Sequence, residues 1–588
     1  MNNHVIDVAL GNAPADMVIK NGRLLNVHTG EIYETEITIA DKVIAAVGSL
    51  GEKTIGENTK VIDAQGKIMA PGFIDAHIHF ESSMLSFTEF SRMLVKHGTT
   101  AVATDLMEIA IVAGEEGINN VLRESEGLPV KLLQPIPAFM SEEGELQTIG
   151  AALYPEMIEK LIKGPHAVGL AEVLYPPIIN KSPLSAWMLE LAEKYGKTAE
   201  GHAPELYGAQ LNAYASAGIR SDHESTNKEE ALGKLRAGLR VLIREGSAAQ
   251  DLDAVIKIIT ENHVDTRHCA LVSDDIDMLH IYEKGHLDYK VRKAIKDGVN
   301  PINAIQMVTL NPAESLKIDS KYGSIAPGKC ADIVFLSDLE NCVVDGVISN
   351  GEVVVENGKT VYEFKKPEYT SVMLNTVKLS KVITGDDLVL TTDKNAKKAK
   401  VRVIGAQPTS LLTDALEADL DVVDGVIQPD VANDVLRIAT VERYGKGGSI
   451  GKSFIKGFKI SKGAIATSMG HDHHNITVVG SNADDMAVAV NRIQELNGGL
   501  IIAEDGKVKY ELPLPICGLL TDLSGEESAL ILKKMQDDLR AKGCEMDSPY
   551  MTLAFITLIF IPFYGITDKG LVDVINGKVI DPIISVEC

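Results

Sequence analysis

Along residues 1–66, apolar and polar positions alternate in short runs: DMVIKNGRLLNV, EIYETEITIADKVIAAVG and KVIDAQGKIMAPG. A period of two broken by Asn-Gly, Asp-Lys and Gly-Lys pairs predicts strands joined by tight turns. The same texture returns within residues 318–366, in GSIAPGKCADIVFL and VVDGVISNGEVVVENGKTVYEF. Two β-rich segments flanking a different middle predict one small β domain split between both flanks.

Between them, residues 67–317 change rhythm. Apolar strand-like runs fall at 73–80, 99–104, 130–138, 167–174, 198–203, 219–224, 241–246 and 268–275. Helical patterns separate several of them, at 86–97, 184–195, 210–217, 228–236 and 248–261. Eight such alternations predict an α/β fold built on a (β/α)8 barrel. After Glu363, KKPEYTSVMLNTVKLS reads as a linker, and residues 367–588 as a separate C-terminal α/β domain. That domain includes a helix over 481–496 with Asp residues at its amino end, where the helix dipole favours them. The apolar run 551–566, MTLAFITLIFIPFYGI, falls short of the ~20 residues of a membrane span, and its Pro562 and β-branched residues predict buried strands.

Composition narrows the partners. The chain has 588 residues, enough for two to four domains at about 100–200 residues each. Its net charge of −25 repels phosphate backbones and anionic membranes, leaving a small molecule as the expected partner. The six cysteines are scattered without a C-x-x-C pair, and the amino terminus lacks a basic segment followed by an apolar one. Both features predict a reducing, cytoplasmic setting without a signal peptide. A homo-oligomer is expected, a dimer being the commonest form.

The candidate chemistry begins at His77-Ile78-His79 in GFIDAHIHFE. Strand geometry puts both imidazoles on one face, close enough to reach one metal. Barrel active sites lie at the carboxyl ends of the strands. There the expected strands carry His77 and His79, Glu172, His202, His223 and Asp274. Four imidazoles and two carboxylates converging on one mouth would be costly without a cation. They suit borderline divalent ions such as Zn, Fe or Mn. Six donors exceed one tetrahedral ion's needs, so two ions sharing a water are expected, with Glu172 between them. Such a pair would supply hydroxide near neutral pH, and Asp274 could take the proton released in the attack.

The segments GFIDAHIHFESSM, GLAEV, GHAPELYGAQLNAYASAGIRSDHES, VLIREGSAA, GHLDYKVRKAIKDGV and AIQMVTLNPAE resemble the amidohydrolase superfamily, and more narrowly its adenine deaminase family. The C-terminal KGFKISKGAIATSMGHDHHNITVVGSNADDMAVAVNRI is similar to that family's own extra domain. The resemblance spans nearly the whole chain. It implies hydrolytic deamination of adenine to hypoxanthine and ammonia with a pair of Mn or Fe ions. It also places His77, His79, Glu172, His202, His223 and Asp274 on the metal ligands.

Three loops depart from the family pattern. D-P-H-E-I-A becomes Asp105-Leu106-Met107-Glu108-Ile109-Ala110, and D-D-R-H-P becomes Asp274-Asp275-Ile276-Asp277-Met278. The end of the third strand reads PIPAFMSEEG in place of S-C-V-P-A-T. Glu108 remains available to protonate the leaving amine or hold a ring nitrogen. The changes predict an altered substrate pocket, one for a ring other than plain adenine or one that handles adenine poorly, with Met107, Asp275, Arg244 and His473 in its wall. Arg244 contacts substrate or forms a salt bridge beneath the mouth. His473 is the novelty in His471-Asp472-His473-His474-Asn475, where the family has H-D-S-H-N; this segment closes over the mouth, adds a further metal site, or is held by structural hydrogen bonds. His97 is expected to face a helix dipole, and Gly285-His286-Leu287-Asp288 to cap a helix.

Two other enzyme readings are weighed. Polynucleotide deaminases need a downstream P-C-x-x-C, absent here. Cyclic-amide hydrolases of the dihydroorotase or hydantoinase kind use similar ligands, but commonly with a carboxylated lysine where Glu172 stands. A non-catalytic binding relative is the third alternative, against which six intact ligand positions weigh.

Overall fold

The computed structural model describes residues 2–138, 144–408, 410–560 and 563–588. At its centre eight parallel strands form a barrel: β1 (Phe73–Asp75), β2 (Thr99–Ala103), β3 (Lys131–Pro137), β4 (Ala167–Leu174), β5 (Thr198–His202), β6 (Ser221–Asp222), β7 (Arg240–Arg244) and β8 (Cys269–Val272). They are almost wholly buried, as expected for strands covered by helices outside and side chains within. Closure occurs at the mouth. Ile78–His79 beyond β1 pairs in parallel with Asp274–Asp275 beyond β8. At the other end the gap is bridged by Met307 and Val308, whose carbonyls accept from Leu271 N (3.0 Å) and Ile74 N (2.8 Å).

The flanks meet in one nine-stranded sheet, as their shared texture predicts. Ile68–Pro71, entering the barrel, lies antiparallel to Ile333–Asp338, leaving it. Their alternate residues Met69 and Phe335 join Ile19, Leu24, Ile37 and Ile348 in that sheet's own core.

The C-terminal domain is a ten-stranded sheet packed on both faces. In Gly499–Glu504, Ile501 and Ala503 pack with the helix Ala483–Leu496, while Leu500 and Ile502 join a core continuous with the barrel's Ile78, Phe80 and Phe87. Burial on both faces is why this strand reads as an unbroken apolar run. Because the two domains share a hydrophobic core, the C-terminal domain sits against the barrel as a fixed roof. Among the described residues, no helix is long and apolar enough to cross a membrane.

Several elements differ from expectation. The run 551–566 does not form strands throughout: Pro549–Phe555 is a helix with proline in its first turn, and only Tyr564–Thr567 is extended. Short apolar runs carry no period that separates buried helix from buried strand. The stretch 248–261 contains two single turns, Leu252–Val255 and Lys257–Thr260. The helix that follows β2, Met107–Ser125, is long and kinked at Gly114 (φ 62°).

Candidate active site

The six expected ligand residues meet at the mouth. Glu172 Oε1 lies 3.5 Å from His77 Nε2, 3.6 Å from His79 Nε2 and 3.4 Å from His223 Nε2. Its Oε2 is 2.6 Å from His202 Nδ1. Asp274 Oδ1 lies 3.4 Å from His77 Nε2 and 3.7 Å from His79 Nε2. Donor atoms thus gather into two trios, His77–His79–Asp274 and Glu172–His202–His223, each within 4.8 Å, with Glu172 facing both. Glu172 and Asp274 both leave their strands in the left-handed region, at φ 57°. Such strain is retained where surrounding structure enforces it, as at functional sites.

The donors fit a divalent metal. His77 Nε2, Glu172 Oε1 and His202 Nδ1 are buried without hydrogen-bond partners, which is costly unless a cation takes them up. Burial disfavours the charged form of His77, yet the Glu200 carboxylate raises its pKa to about 9. Burial alone would raise Glu172, but His202 and His223 hold it well below the usual carboxylate range. Asp274 is likewise held low against burial by His77 and the Arg244 guanidinium. In the metal-free chain, then, protons on imidazoles balance the carboxylates, and a bound metal would displace them.

The residues behind the ligands were largely missed from sequence. Glu200, two positions before His202 on β5, lies 3.0 Å from His77 Nδ1 and 3.3 Å from His223 Nδ1. It thereby sets which nitrogen of each ring faces inward. Its signal was available, because residues two apart on a strand share a face. Glu200→Gln is expected to weaken metal affinity about 10–100-fold, read by titrating the metal-free protein; unchanged affinity would show that the two rings orient themselves.

Tyr214 donates to Val173 O and accepts from His202 N (3.1 Å), tying the ends of β4 and β5 together. Gly201 makes room for it, since a Cβ there would stand 2.2 Å from the tyrosine oxygen. Asp222 accepts from Ala203 N (2.8 Å) and Glu224 N (3.1 Å), fixing the turns beside His202 and His223. It is itself paired with the buried Lys234.

Arg244 is engaged by carboxylates. It is buried and paired with Glu224, with Asp251 at 2.6 Å and with Asp274 at 3.1 Å, so it forms the salt bridge beneath the mouth. Glu108, in the first turn of Met107–Ser125, is buried with Oε1 3.6 Å from His79 Nδ1. Burial, then the Glu81 charge, holds its carboxyl well above the usual range. Asp275 accepts from Ser82 Oγ, and burial and Asp274 raise its pKa to about 7. Met107 packs with Ile111 and Ile149 in a small apolar cluster. Asp277 caps the helix Met278–Lys284 through His280 N (2.8 Å) and accepts from Ser548 Oγ of the roof (2.8 Å). Two of the three departures from the family pattern are therefore taken up by packing and capping. Of the third, residues 139–143 lie outside the described residues.

Within the C-terminal segment the roles of the histidines are exchanged. His473 turns toward its own domain, where its Nδ1 accepts from Asn475 N (2.9 Å) and its carbonyl from Tyr444 Oη (2.7 Å). His471 faces the mouth instead, with Nδ1 3.6 Å from Glu108 Oε1. Burial and the neighbouring His79 lower its pKa to about 3, so it is a neutral imidazole. His97 follows the carboxyl end of the helix Phe87–Val95, as expected, and its Nδ1 also lies 3.2 Å from Asp288 Oδ2. His286 is held between Thr99 Oγ1 (2.8 Å) and Ser273 Oγ (2.9 Å), and its backbone N–H donates to Asp288 Oδ1 (2.8 Å).

Residues 68–354 match the amidohydrolase family, and residues 410–578 match the adenine deaminase C-terminal domain. An adenine deaminase of Clostridium botulinum (strain ATCC 19397 / Type A) is 40% identical over 570 residues, 96% of this chain and 95% of that one. The chain belongs to the adenine deaminase family. Another adenine deaminase, from Kosmotoga olearia, is 40% identical over 585 residues, covering 99% of both chains. Among solved structures, a β-aspartyl dipeptidase from Fervidobacterium islandicum AW-1 is 17% identical, covers 59% of this chain and 98% of its own, and superposes with a TM-score of 0.46. Membership of the amidohydrolase family, with His, Asp and Glu clusters at the mouth, makes this a divalent metal site.

Proposed function

We propose that this protein is a metal-dependent aminohydrolase converting adenine and water to hypoxanthine and ammonia, with His77, His79, Glu172, His202, His223 and Asp274 holding two divalent ions. Mn or Fe fits the mixed imidazole and carboxylate donors, and Zn shares those preferences. The observation that carries the reading is the meeting of both donor trios on Glu172, with Glu108 on the far side of His79. When bound, such ions supply a nucleophile at neutral pH and stabilise developing negative charge.

The chain's own residues do the proton work. Asp274 Oδ1, facing His77 and His79, receives the proton of the attacking water. Arg244 keeps that carboxylate oriented and ionised beforehand. Glu108, whose burial favours its protonated form, delivers a proton to a ring nitrogen or the departing amine. Water and adenine together thus yield hypoxanthine and ammonia. The working form proposed is a cytoplasmic homodimer with domains divided near residues 66, 317 and 366. The six cysteines, all free in the structure, suit a reducing compartment.

The test is ammonia release from adenine by protein reconstituted with Mn, alongside metal analysis. About two ions per chain and a turnover on the order of 10 s⁻¹ are expected, both lost on chelation. Fewer than one ion per chain, or no ammonia from adenine, would overturn the reading.

A further inference from the structure

The roof brings the imidazole of His471 up to a carboxylate of the barrel mouth. His471 follows the strand Ala464–Thr467 and is fixed by its backbone, which donates to Ala554 O (2.9 Å) and accepts from Thr557 Oγ1 (2.8 Å). Its ring stacks on Phe555, with centroids 4.5 Å apart and planes 24° apart. Backbone and ring are therefore both held in place. Its Nδ1 stands 3.6 Å from Glu108 Oε1, and Glu108 in turn stands 3.6 Å from His79. Yet Nε2 is buried and has no hydrogen-bond partner. A buried imidazole nitrogen left unpaired is costly, so a preorganised ring in this position is suited to a partner that arrives later.

The neighbouring histidines do not share this placement. Their Nε2 atoms are also buried without a partner, but His473 Nδ1 accepts from Asn475 N and His474 Nδ1 from Gly470 N (3.3 Å), bonds internal to the loop, whereas His471 Nδ1 stands against Glu108. The loop is also tied to the barrel segment before the fourth strand, since Asn475 Nδ2 donates to Thr148 O (2.8 Å).

We infer that His471 is a substrate-contacting residue supplied by the C-terminal domain, its Nε2 pairing with a ring nitrogen of the bound purine. A neutral imidazole offers one donor or one acceptor at that atom, matching a single nitrogen on the edge of a base. The inference rests on the adenine reading above and extends it: the C-terminal domain takes part in recognition as well as covering the mouth.

The test compares wild type, His471→Phe and His471→Gln, each loaded with Mn, on adenine and on its 1-deaza, 3-deaza and 7-deaza analogues as substrates or competitors. His471→Phe keeps a ring to stack on Phe555 and removes both nitrogens. It should raise KM for adenine about tenfold, the worth of one hydrogen bond, with metal content and melting temperature unchanged. His471→Gln should recover part of that loss. One deaza analogue, poorer than adenine for wild type, should be no poorer than adenine for His471→Phe. An unchanged KM in an active wild-type background overturns this inference alone. So does an equal loss on adenine and all three analogues, which would mark a structural role. Should His471→Phe fail to fold, His471→Gln is judged by the same analogue comparison. A wild type that releases no ammonia from adenine overturns the functional reading, and this inference with it.

Discussion

Glu172→Ala is expected to lower kcat on adenine by about 10³-fold or more, equivalent to about 4 kcal/mol of barrier, while leaving the barrel folded. Glu172 faces both donor trios and lies within 3.6 Å of nitrogens on four histidines, His77, His79, His202 and His223. Its removal should therefore cost more than the about 10–100-fold typical of a partner standing behind a ligand. Elemental analysis should find less than the full complement of metal, and circular dichroism should be unchanged. A variant that keeps both its metal and its turnover would show that Glu172 only lines the site.

The second large effect concerns stability. Lys234→Met should destabilise the barrel by about 3–5 kcal/mol, the cost of breaking a buried ion pair from one side. Lys234, Asp222 and Glu230 are all fully buried, with Lys234 Nζ bound to Asp222 and 2.9 Å from Glu230. Without the ammonium, two carboxylates face each other out of water. They cannot simply move apart, because both already hold backbone. Asp222 fixes Ala203 and Glu224, and Glu230 accepts from Glu205 N at 2.8 Å. The single tryptophan, Trp187, lies on the helix Pro183–Lys194 between β4 and β5 and can report the transition. A midpoint within a degree of wild type would show the triad to be dispensable. Adding Asp222→Asn should recover part of the loss, since it removes one of the two stranded charges.

Legibility from sequence followed the strength of each local signal. The helix 228–236 was located to the residue, where the N-cap Asn227 accepts from Glu230 N and acidic residues fill the first turn and basic ones the last. The run 551–566 was misjudged, because a helix buried all round and a buried strand look alike in one short apolar stretch. Arg244 at a strand end suited a salt bridge somewhat better than substrate, but its partners Glu224, Asp251 and Asp274 arrive from other segments. Between His471 and His473, two apart in one loop, nothing local says which ring turns to the mouth.

The sequence by itself determined the barrel, the β domain split across it and the six metal-competent residues, because these rest on periodicity and on the rule that barrel chemistry sits at the carboxyl ends of strands; the family rested on the resemblance of its motifs. Tertiary structure decided how those residues are supported and roofed. Glu200 behind two histidines, Tyr214 through the gap left by Gly201, and His471 over Glu108 each join positions brought together only when the chain closes on itself. Such contacts depend on distances of a few ångströms between remote segments, and no pattern along the chain carries that information.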